Sequence, residues 1–380
     1  MPTSTLAVGL PAETKDRERR VALTPSAVNL VVEQGHRVLV QTGAGLGAGF
    51  ADEDYKAAGA ELVADAAEVW GADLVVKVKE PQESEHEHFR RDLTLFAYLH
   101  LAAEPGLTRA LLDAGVHAYA FETLSDRNGL PLLAPMSEIA GRAAAIVGAA
   151  ELSSASGGSG TLMGGAAGVP PAKVVVLGMG VAGTMAARGA RGLDAHVTGV
   201  DVDLHRLYEH HLAGTIDATQ VSEPKLVGEH VREADLVIGA ALVPGARAPT
   251  VVTEEQVASM RPGSVVVDLA IDQGGCIATA RPTSLSEPTY VEHGVVHYCV
   301  TNVPGQFPRT ASKALSAAIA PRLLRLADDL VHGRAGTDAE HPMLTGARNV
   351  DDGAIQHAAV AAAFPDLPAG ETVVVPSERG

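Results

Sequence analysis

Ten short apolar runs, mostly separated by helix-like segments, constrain the fold of this chain more than any other feature of its sequence. Runs such as KVVVLG (173–178) and DLVIGAA (235–241) are apolar at successive positions and do not alternate with polar residues. Strands of that kind are buried on both faces, as in parallel sheets covered by helices. The other predicted strands cover 6–11, 36–41, 73–79, 93–100, 116–122, 196–201, 264–270 and 295–300. The alternation predicts an α/β protein with doubly wound, Rossmann-like and mainly parallel sheets.

The chain has 380 residues, which is too long for one ordinary hydrophobic core and fits two α/β domains. Two long helical patterns, 136–152 and about 310–331, are interpreted as connectors that cross between domains. We therefore predict that one domain, 135–304, is inserted into another, which is built from 1–134 and 305–380. The tail after Gly333 is predicted to be a loop followed by a short helix near 353–364.

Charge and composition exclude several classes of function. The formal net charge of −17 argues against binding to nucleic acid or to an anionic membrane, because both require a basic face. The sequence has no run of about 20 apolar residues and no signal-peptide pattern at its start. Cys276 and Cys299 form neither a disulfide framework nor a metal-binding spacing. We expect a cytoplasmic protein with reduced thiols and no metal site.

The strongest local signal is the segment KVVVLGMGVAGTMAARGA, in which Gly178, Gly180 and Gly183 form a G-x-G-x-x-G pattern. A predicted strand precedes the pattern, a helix follows it, and the next strand ends in Asp201. The first glycine permits the tight turn, the second allows backbone to approach a pyrophosphate, and the third allows the helix to pack against the strand. The start of the helix then offers N–H groups to the phosphates. This context predicts a dinucleotide site, although a glycine-rich turn in an ordinary βαβ unit is the alternative.

Asp201 indicates which dinucleotide would bind. Its carboxylate can accept hydrogen bonds from the ribose hydroxyls of adenosine, and it would repel a 2′-phosphate. The sequence therefore favours NAD over NADP, although His205 and Arg206 are close enough in sequence to moderate that repulsion.

Two cations follow predicted strands and are candidates for binding a substrate carboxylate. Arg20 lies in the loop after the first strand, and Lys79 lies near the end of the strand 73–79. Together they could clamp a carboxylate; alternatively, they are two surface cations at loop margins. Lys77 is predicted to share a strand face with Lys79, where it would need a partner because burying an unpaired charge is costly.

His100 and Asp272 are candidates for proton transfer. His100 ends the apolar run LTLFAYLH, where an imidazole suits general acid/base chemistry, although a lone histidine is more often structural. Asp272 follows a strand in the turn AIDQGG, where paired glycines suggest close approach to a ligand. Asp268, inside that strand, is the less suitable candidate, because its carboxylate can be engaged in hydrogen bonds with neighbouring backbone groups. Other polar candidates near the domain crossings are Ser137 and Asn302, whereas the EHEH cluster at 85–88 is predicted to be solvated surface.

Eight segments, taken in order, resemble the family of bacterial L-alanine dehydrogenases and transhydrogenase NAD-binding components. They are PAETKDRERRVALTP, LVVKVKEP, FAYLHLA, LPLLAPMSEIAGR, VVVLGMGVAG, ADLVIGAALVPGARAP, VVDLAIDQGG and CVTNVPG. The resemblance covers roughly residues 6–330 and is looser in the tail.

The resemblance implies reversible, NAD-dependent oxidative deamination of L-alanine to pyruvate and ammonium by a homohexamer. It implies that Arg20 and Lys79 hold the substrate carboxylate or carbonyl, that His100 is the acid/base, and that Asp272 positions and deprotonates the amine or the attacking water. The residues implied to contact the cofactor are Ser137, Gly178, Gly180, Gly183, Asp201, Arg206, Ser222 and Asn302.

Three other functions are compatible with such a sequence. The NAD-binding component of a transhydrogenase would exchange hydride with a partner subunit and would not need the pair His100 and Asp272. A saccharopine-type oxidoreductase would act on a larger substrate, and an NAD-sensing module would bind the cofactor without turnover.

Overall fold

The computed structural model describes residues 5–127, 129–241, 248–337 and 340–373. The chain forms two compact units. The first, here called the discontinuous unit, comprises Met1–Met136 and Phe307–Gly380, and the second, the inserted unit, comprises Ser137–Gln306. Each unit contains one large, mainly parallel sheet, so the predicted α/β fold is confirmed. Among the described residues, the helices are all too short or too polar to cross a membrane.

The elements are numbered in chain order. The strands are β1 (Ala7–Leu10), β2 (Arg37–Gln41), β3 (Glu61–Val63), β4 (Leu74–Val76), β5 (Thr94–Ala97), β6 (His117–Ala120), β7 (Lys173–Leu177), β8 (His196–Asp201), β9 (Ala218–Val221), β10 (Leu236–Gly239), β11 (Val265–Asp268), β12 (Thr289–Glu292), β13 (Val295–Tyr298), β14 (Arg348–Asp351), β15 (Ala354–His357) and β16 (Ala369–Val373). The helices are α1 (Pro25–Glu33), α2 (Asp52–Ala57), α3 (Ala66–Trp70), α4 (Pro105–Ala114), α5 (Ala134–Glu151), α6 (Val181–Gly192), α7 (Leu204–Leu212), α8 (Pro224–Glu233), α9 (Glu254–Ala258), α10 (Pro308–Val331), α11 (Pro342–Ala347) and α12 (Ala358–Ala363).

The sheet of the discontinuous unit has nine strands in the order β16-β15-β14-β6-β5-β4-β1-β2-β3. The six strands from β6 to β3 are parallel to one another, so their carboxyl ends lie at one edge of the sheet. Strands β4 and β5 are buried at every position, as their uninterrupted apolar sequences predict. The loops that follow β1, β4 and β5 carry the predicted substrate-binding residues Arg20 and Lys79 and one predicted acid/base residue, His100.

The helix predicted near 353–364 is wrong for the first part of that range. Strands β14 and β15 form an antiparallel hairpin that extends the sheet beyond β6, and helix α12 covers only the end of that range. Asp352 and Gly353 connect the two strands with φ angles of 45° and 79°. An Asp-Gly pair with both φ angles positive is the preferred two-residue turn of a hairpin. That dipeptide was the sequence signal for the hairpin.

The inserted unit contains seven strands in the order β12-β13-β11-β10-β7-β8-β9, of which only β12 runs antiparallel. Alternate residues of β7 belong to different apolar clusters, Val174 and Val176 to one and Val175 and Leu177 to the other. The strand is therefore buried on both faces, which explains its continuous apolar sequence. The carboxyl ends of β7, β8, β9, β11 and β13 meet at one edge of this sheet.

Candidate functional site

The carboxylate of Glu18 holds the buried guanidinium of Arg20 in the loop after β1. Its Nε lies 2.7 Å from Glu18 Oε1, its Nη2 lies 2.5 Å from Glu18 Oε2, and Nη1 lies 3.2 Å from Met136 Sδ. Only 2% of Arg20 is exposed. Burial alone would lower the pKa of Arg20, but the hydrogen bonds and the charge of Glu18 raise it above its usual value. Arg20 is therefore a permanently charged and rigidly oriented donor.

Lys79 is positioned through its backbone by a second buried carboxylate. Glu13 accepts hydrogen bonds from the N–H groups of Val78 (2.5 Å) and Lys79 (3.2 Å). Burial raises the pKa of Glu13 more than the nearby charge of Lys77 lowers it. The Nζ of Lys79 lies 3.9 Å from Glu80 Oε2, and 13% of its side chain is exposed. Strand β4 ends at Val76, so Lys79 lies in the loop that follows the strand.

Lys77 has the partner that its burial requires. Its side chain has no exposed surface, and its Nζ lies 2.8 Å and 2.9 Å from the two oxygens of Glu85 and 3.6 Å from Glu13 Oε2. Glu85 is itself buried. The interpretation of the EHEH cluster as solvated surface is therefore wrong for Glu85, because this carboxylate neutralises a lysine eight residues earlier in the chain.

His100 presents an exposed imidazole just beyond β5. Its backbone has a φ of 50°, a left-handed conformation that a residue with a Cβ adopts only when its surroundings hold it there. The N–H of His100 donates to Glu122 Oε1 at 2.6 Å. The imidazole stacks on the ring of Tyr98, with 5.9 Å between centroids and 7° between planes, and the Tyr98 O–H donates to the Leu132 carbonyl at 2.6 Å.

The discontinuous unit brings Arg20, Lys79 and His100 together. Their loops follow β1, β4 and β5, three adjacent parallel strands. Glu13 binds the backbone of Lys79 and acts electrostatically on Arg20, while Tyr98 acts on Arg20 and stacks on His100. Two cations and an imidazole at one sheet edge suit a small carboxylic acid that exchanges protons. Sequence reasoning missed Glu13, Glu18, Tyr98 and Glu122, all of which hold these groups in place.

In the inserted unit the glycine-rich turn has the geometry expected of a phosphate-binding loop. Gly178 has a φ of 88°, and a Cβ on Gly183 would lie 1.8 Å from the Gly178 carbonyl oxygen. A Cβ on Gly180, in contrast, would meet no atom within 4 Å. Helix α6 begins directly after Gly180 without a side-chain cap. Gly178 and Gly183 are thus required by the turn itself, and Gly180 leaves open space at a helix start that can receive phosphate.

Asp201 joins the end of β8 to this turn. Its Oδ2 accepts from the Met179 N–H at 2.7 Å, and its Oδ1 accepts from the Asp203 N–H at 2.9 Å. Arg206 Nη1 lies 3.4 Å from Asp201 Oδ2. Ser222, which follows β9, donates its N–H to the Asp201 carbonyl at 2.9 Å. Three of the predicted cofactor-binding residues, Asp201, Arg206 and Ser222, are therefore neighbours beside the glycine-rich turn, which suits a dinucleotide whose pyrophosphate binds the turn.

Asp272 and Asn302 lie close together at the edge of this sheet where the glycine-rich turn also lies. They follow β11 and β13, which are adjacent, and the Asn302 N–H lies 3.4 Å from Asp272 Oδ2. Asp272 is exposed, whereas Asp268 is buried and accepts from the N–H groups of Ala270, Cys276 and Ile277. Burial raises the pKa of Asp268 to about 6 in spite of these hydrogen bonds. Asp268 thus organises its own loop.

Ser137 lies in the first turn of α5, next to Met136, and takes part in none of the contacts described above. Four residues later, Gly141 packs so closely on α6 that a Cβ would lie 2.1 Å from the Ala182 carbonyl oxygen. This packing fixes α5 against the helix that follows the glycine-rich turn. The role of Ser137 in cofactor binding stays a prediction.

We expect Gly180→Ala to weaken NAD binding at least about tenfold while leaving the unfolding temperature within a few degrees of the wild-type value. The added methyl group has room in the protein but occupies the space into which a pyrophosphate must fit. Calorimetric titration with NAD and thermal unfolding measure the two effects. Gly192→Ala is the matched control, because its Cβ also meets no atom within 4 Å and it lies at the other end of α6. Equal NAD affinities for the two variants would contradict the assignment.

Two family models and a bacterial relative match most of the chain. The family model described as "Alanine dehydrogenase/PNT, N-terminal domain" matches residues 9–140, and "Alanine dehydrogenase/PNT, C-terminal domain" matches residues 144–358. Alanine dehydrogenase of Bacillus subtilis (strain 168) is 49% identical over 358 residues, which cover 94% of each protein.

Two solved structures extend this comparison. An L-alanine dehydrogenase superposes with a TM-score of 0.89 and 47% identity, covering 95% of this chain and 99% of that one. A transhydrogenase from Sinorhizobium meliloti superposes with a TM-score of 0.78 and 31% identity, covering 93% and 99%. The similarity to the first structure is greater in both sequence and geometry.

Proposed function

The chain belongs to the alanine dehydrogenase/PNT family, and on that premise we propose that it catalyses the reversible oxidative deamination of L-alanine with NAD. The reaction converts L-alanine, NAD⁺ and water to pyruvate, ammonium, NADH and a proton. The observation that carries the proposal is the grouping of Arg20, Lys79 and His100 in a chain that superposes on an L-alanine dehydrogenase. A small amino acid needs a cationic clamp for its carboxylate and a proton donor and acceptor at its α-carbon.

The chain's own residues supply binding and proton transfer. Arg20 and Lys79 hold the carboxylate, and His100 acts as general acid and base on the nitrogen and oxygen attached to the α-carbon. Asp272 deprotonates the amine or the attacking water. Bound NAD would supply the acceptor for the α-hydrogen, which leaves the substrate as hydride. The resulting iminium group takes up water, and the carbinolamine collapses to ketone and ammonia, each step with proton transfer by His100 or Asp272.

We propose that NAD is held by the inserted unit. The open face at Gly180, the backbone donors at the start of α6 and the carboxylate of Asp201 fit a dinucleotide without a 2′-phosphate. Gly178, Gly183, Arg206 and Ser222 line or support the same region, and Ser137 and Asn302 complete the proposed set. In terms of domains, we propose 135–304 as the NAD-binding domain and 1–134 with 305–380 as the substrate domain.

We also propose that the protein is a cytoplasmic homohexamer. This proposal rests on the family, and sedimentation velocity of the purified chain tests the assembly. A monomer or dimer at micromolar concentration would contradict it.

The activity is tested by mixing the purified protein with NAD and a panel of L-amino acids and following absorbance of the reduced cofactor. We expect turnover with L-alanine far above that with any other member of the panel, and none with D-alanine. Binding of NAD without turnover of any amino acid would instead indicate an NAD-sensing module. Hydride exchange with NADP only in the presence of a partner subunit would indicate a transhydrogenase component.

We expect Asp201→Asn to narrow the preference for NAD over NADP at least about tenfold, measured as the ratio of the two kcat/KM values. The substitution removes the charge that repels a 2′-phosphate, and the amide oxygen can still accept from the Met179 N–H. Asp203→Asn is the matched control, since Asp203 caps α7 two residues later. An unchanged ratio in Asp201→Asn would show that this carboxylate does not select the cofactor.

A further inference from the structure

The carboxylate of Glu122 binds the backbone of His100. Its Oε1 accepts from the His100 N–H at 2.6 Å, and its two oxygens lie 3.3 Å and 3.2 Å from the Leu99 nitrogen. Glu122 follows β6, the neighbour of β5, so the carboxylate reaches from one strand end to the next. In the described part of the chain no cation forms an ion pair with it. A partly buried carboxylate that binds two successive N–H groups fixes the orientation of both peptide planes.

The residue that these hydrogen bonds hold is in an unfavourable conformation. His100 has a φ of 50°, which is uncommon for a residue with a Cβ and persists only where the surroundings impose it. The imidazole has a stacking contact with Tyr98, but neither ring nitrogen has a hydrogen-bond partner among the described residues. The direction in which the imidazole points is therefore set mainly by the backbone of His100, and that backbone is set by Glu122.

We propose that Glu122 is a positioning residue for the reaction: by holding His100 in the left-handed conformation, it directs the imidazole toward the substrate. The inference rests on the proposed function, because it assumes that His100 transfers protons in turnover. Glu122 does not touch the substrate in this account and acts only through His100. Its charge also acts on Tyr98 and His357.

The expected effect of Glu122→Ala is a fall in kcat of about ten- to a hundredfold, with the KM values for L-alanine and NAD within about twofold of wild type. Misplacement of an acid/base by about 1 Å costs rate on this scale, whereas the cations that bind the carboxylate are left intact. Glu122→Gln should recover most of the loss, because its amide oxygen can accept the short hydrogen bond from His100. Thermal unfolding of both variants checks that they are folded.

A double-mutant cycle with His100→Ala decides the question. If Glu122 acts through His100, Glu122→Ala causes no further loss of kcat once the imidazole is absent. A further loss of the same size in the His100→Ala background, or a wild-type kcat in Glu122→Ala, would overturn the inference. These failures are distinct from failure of the proposed function, in which the wild-type protein itself would not oxidise L-alanine.

Discussion

Replacing His100 with alanine lowers kcat for L-alanine oxidation at least about a hundredfold and leaves the affinity for NAD unchanged. The imidazole is exposed and stacks on Tyr98. It lies at the same edge of the sheet as Arg20 and Lys79. A positioned general acid/base contributes about a hundred- to ten-thousandfold to a rate, and a methyl group cannot transfer a proton. Steady-state kinetics over the pH range and calorimetric titration with NAD measure the two quantities.

His332→Ala is the control for this substitution, because His332 is another exposed histidine of the discontinuous unit. It should keep the wild-type kcat.

We expect Asp272→Asn to lower kcat by an amount similar to that lost in His100→Ala. Asp194→Asn is the control for this substitution, because Asp194 is exposed and its left-handed backbone suits asparagine. A kcat within threefold of wild type in either variant would remove that residue from the proton transfers.

Replacing Arg20 with methionine lowers kcat/KM for L-alanine at least about a hundredfold and also destabilises the protein. The first effect follows from loss of the cation that holds the substrate carboxylate. The second follows from Glu18, whose side chain has no exposed surface and would lose the guanidinium that donates to both of its oxygens. Breaking a buried ion pair by removing one partner costs about 3–5 kcal/mol. Kinetics at saturating NAD and urea unfolding measure the two effects.

A second substitution separates the two roles of Arg20. In the double variant Glu18→Gln, Arg20→Gln, both charges are removed, so we expect part of the lost stability to return while kcat/KM stays low. Arg19→Met controls for the loss of a positive charge, because Arg19 is exposed in the same loop. Recovery of kcat/KM together with stability in the double variant would mean that Arg20 is structural only.

The fold class could be predicted from the sequence because the central strands are buried on both faces. Continuous runs such as that of β7 have few other structural solutions, and the prediction of mainly parallel sheets is confirmed. The tail was predicted to be a loop followed by a short helix near 353–364, and that prediction missed the Asp-Gly turn at 352–353, which precedes the alanine-rich segment 358–363. The family resemblance, drawn from eight ordered segments, is confirmed by two family models that match 9–140 and 144–358.

The candidate site was predictable only in part. Arg20, Lys79 and His100 could be selected because they follow predicted strands whose carboxyl ends meet in a parallel sheet. The carboxylates that hold them could not be selected. Glu13 contacts Lys79 across 66 residues, and Glu122 contacts His100 across 22, and such pairings depend on the sheet order and leave no local pattern. Glu85 was assigned to the surface for the same reason, since only the fold brings it to Lys77.

Isotope transfer shows whether the α-hydrogen of L-alanine passes as hydride to NAD. The measurement is mass spectrometry of the NADH formed when the wild-type protein oxidises L-alanine that carries deuterium at the α-carbon. We expect one deuterium in each NADH, with pyruvate and ammonium formed in equal amount. NADH without deuterium, or no NADH at all, would contradict it.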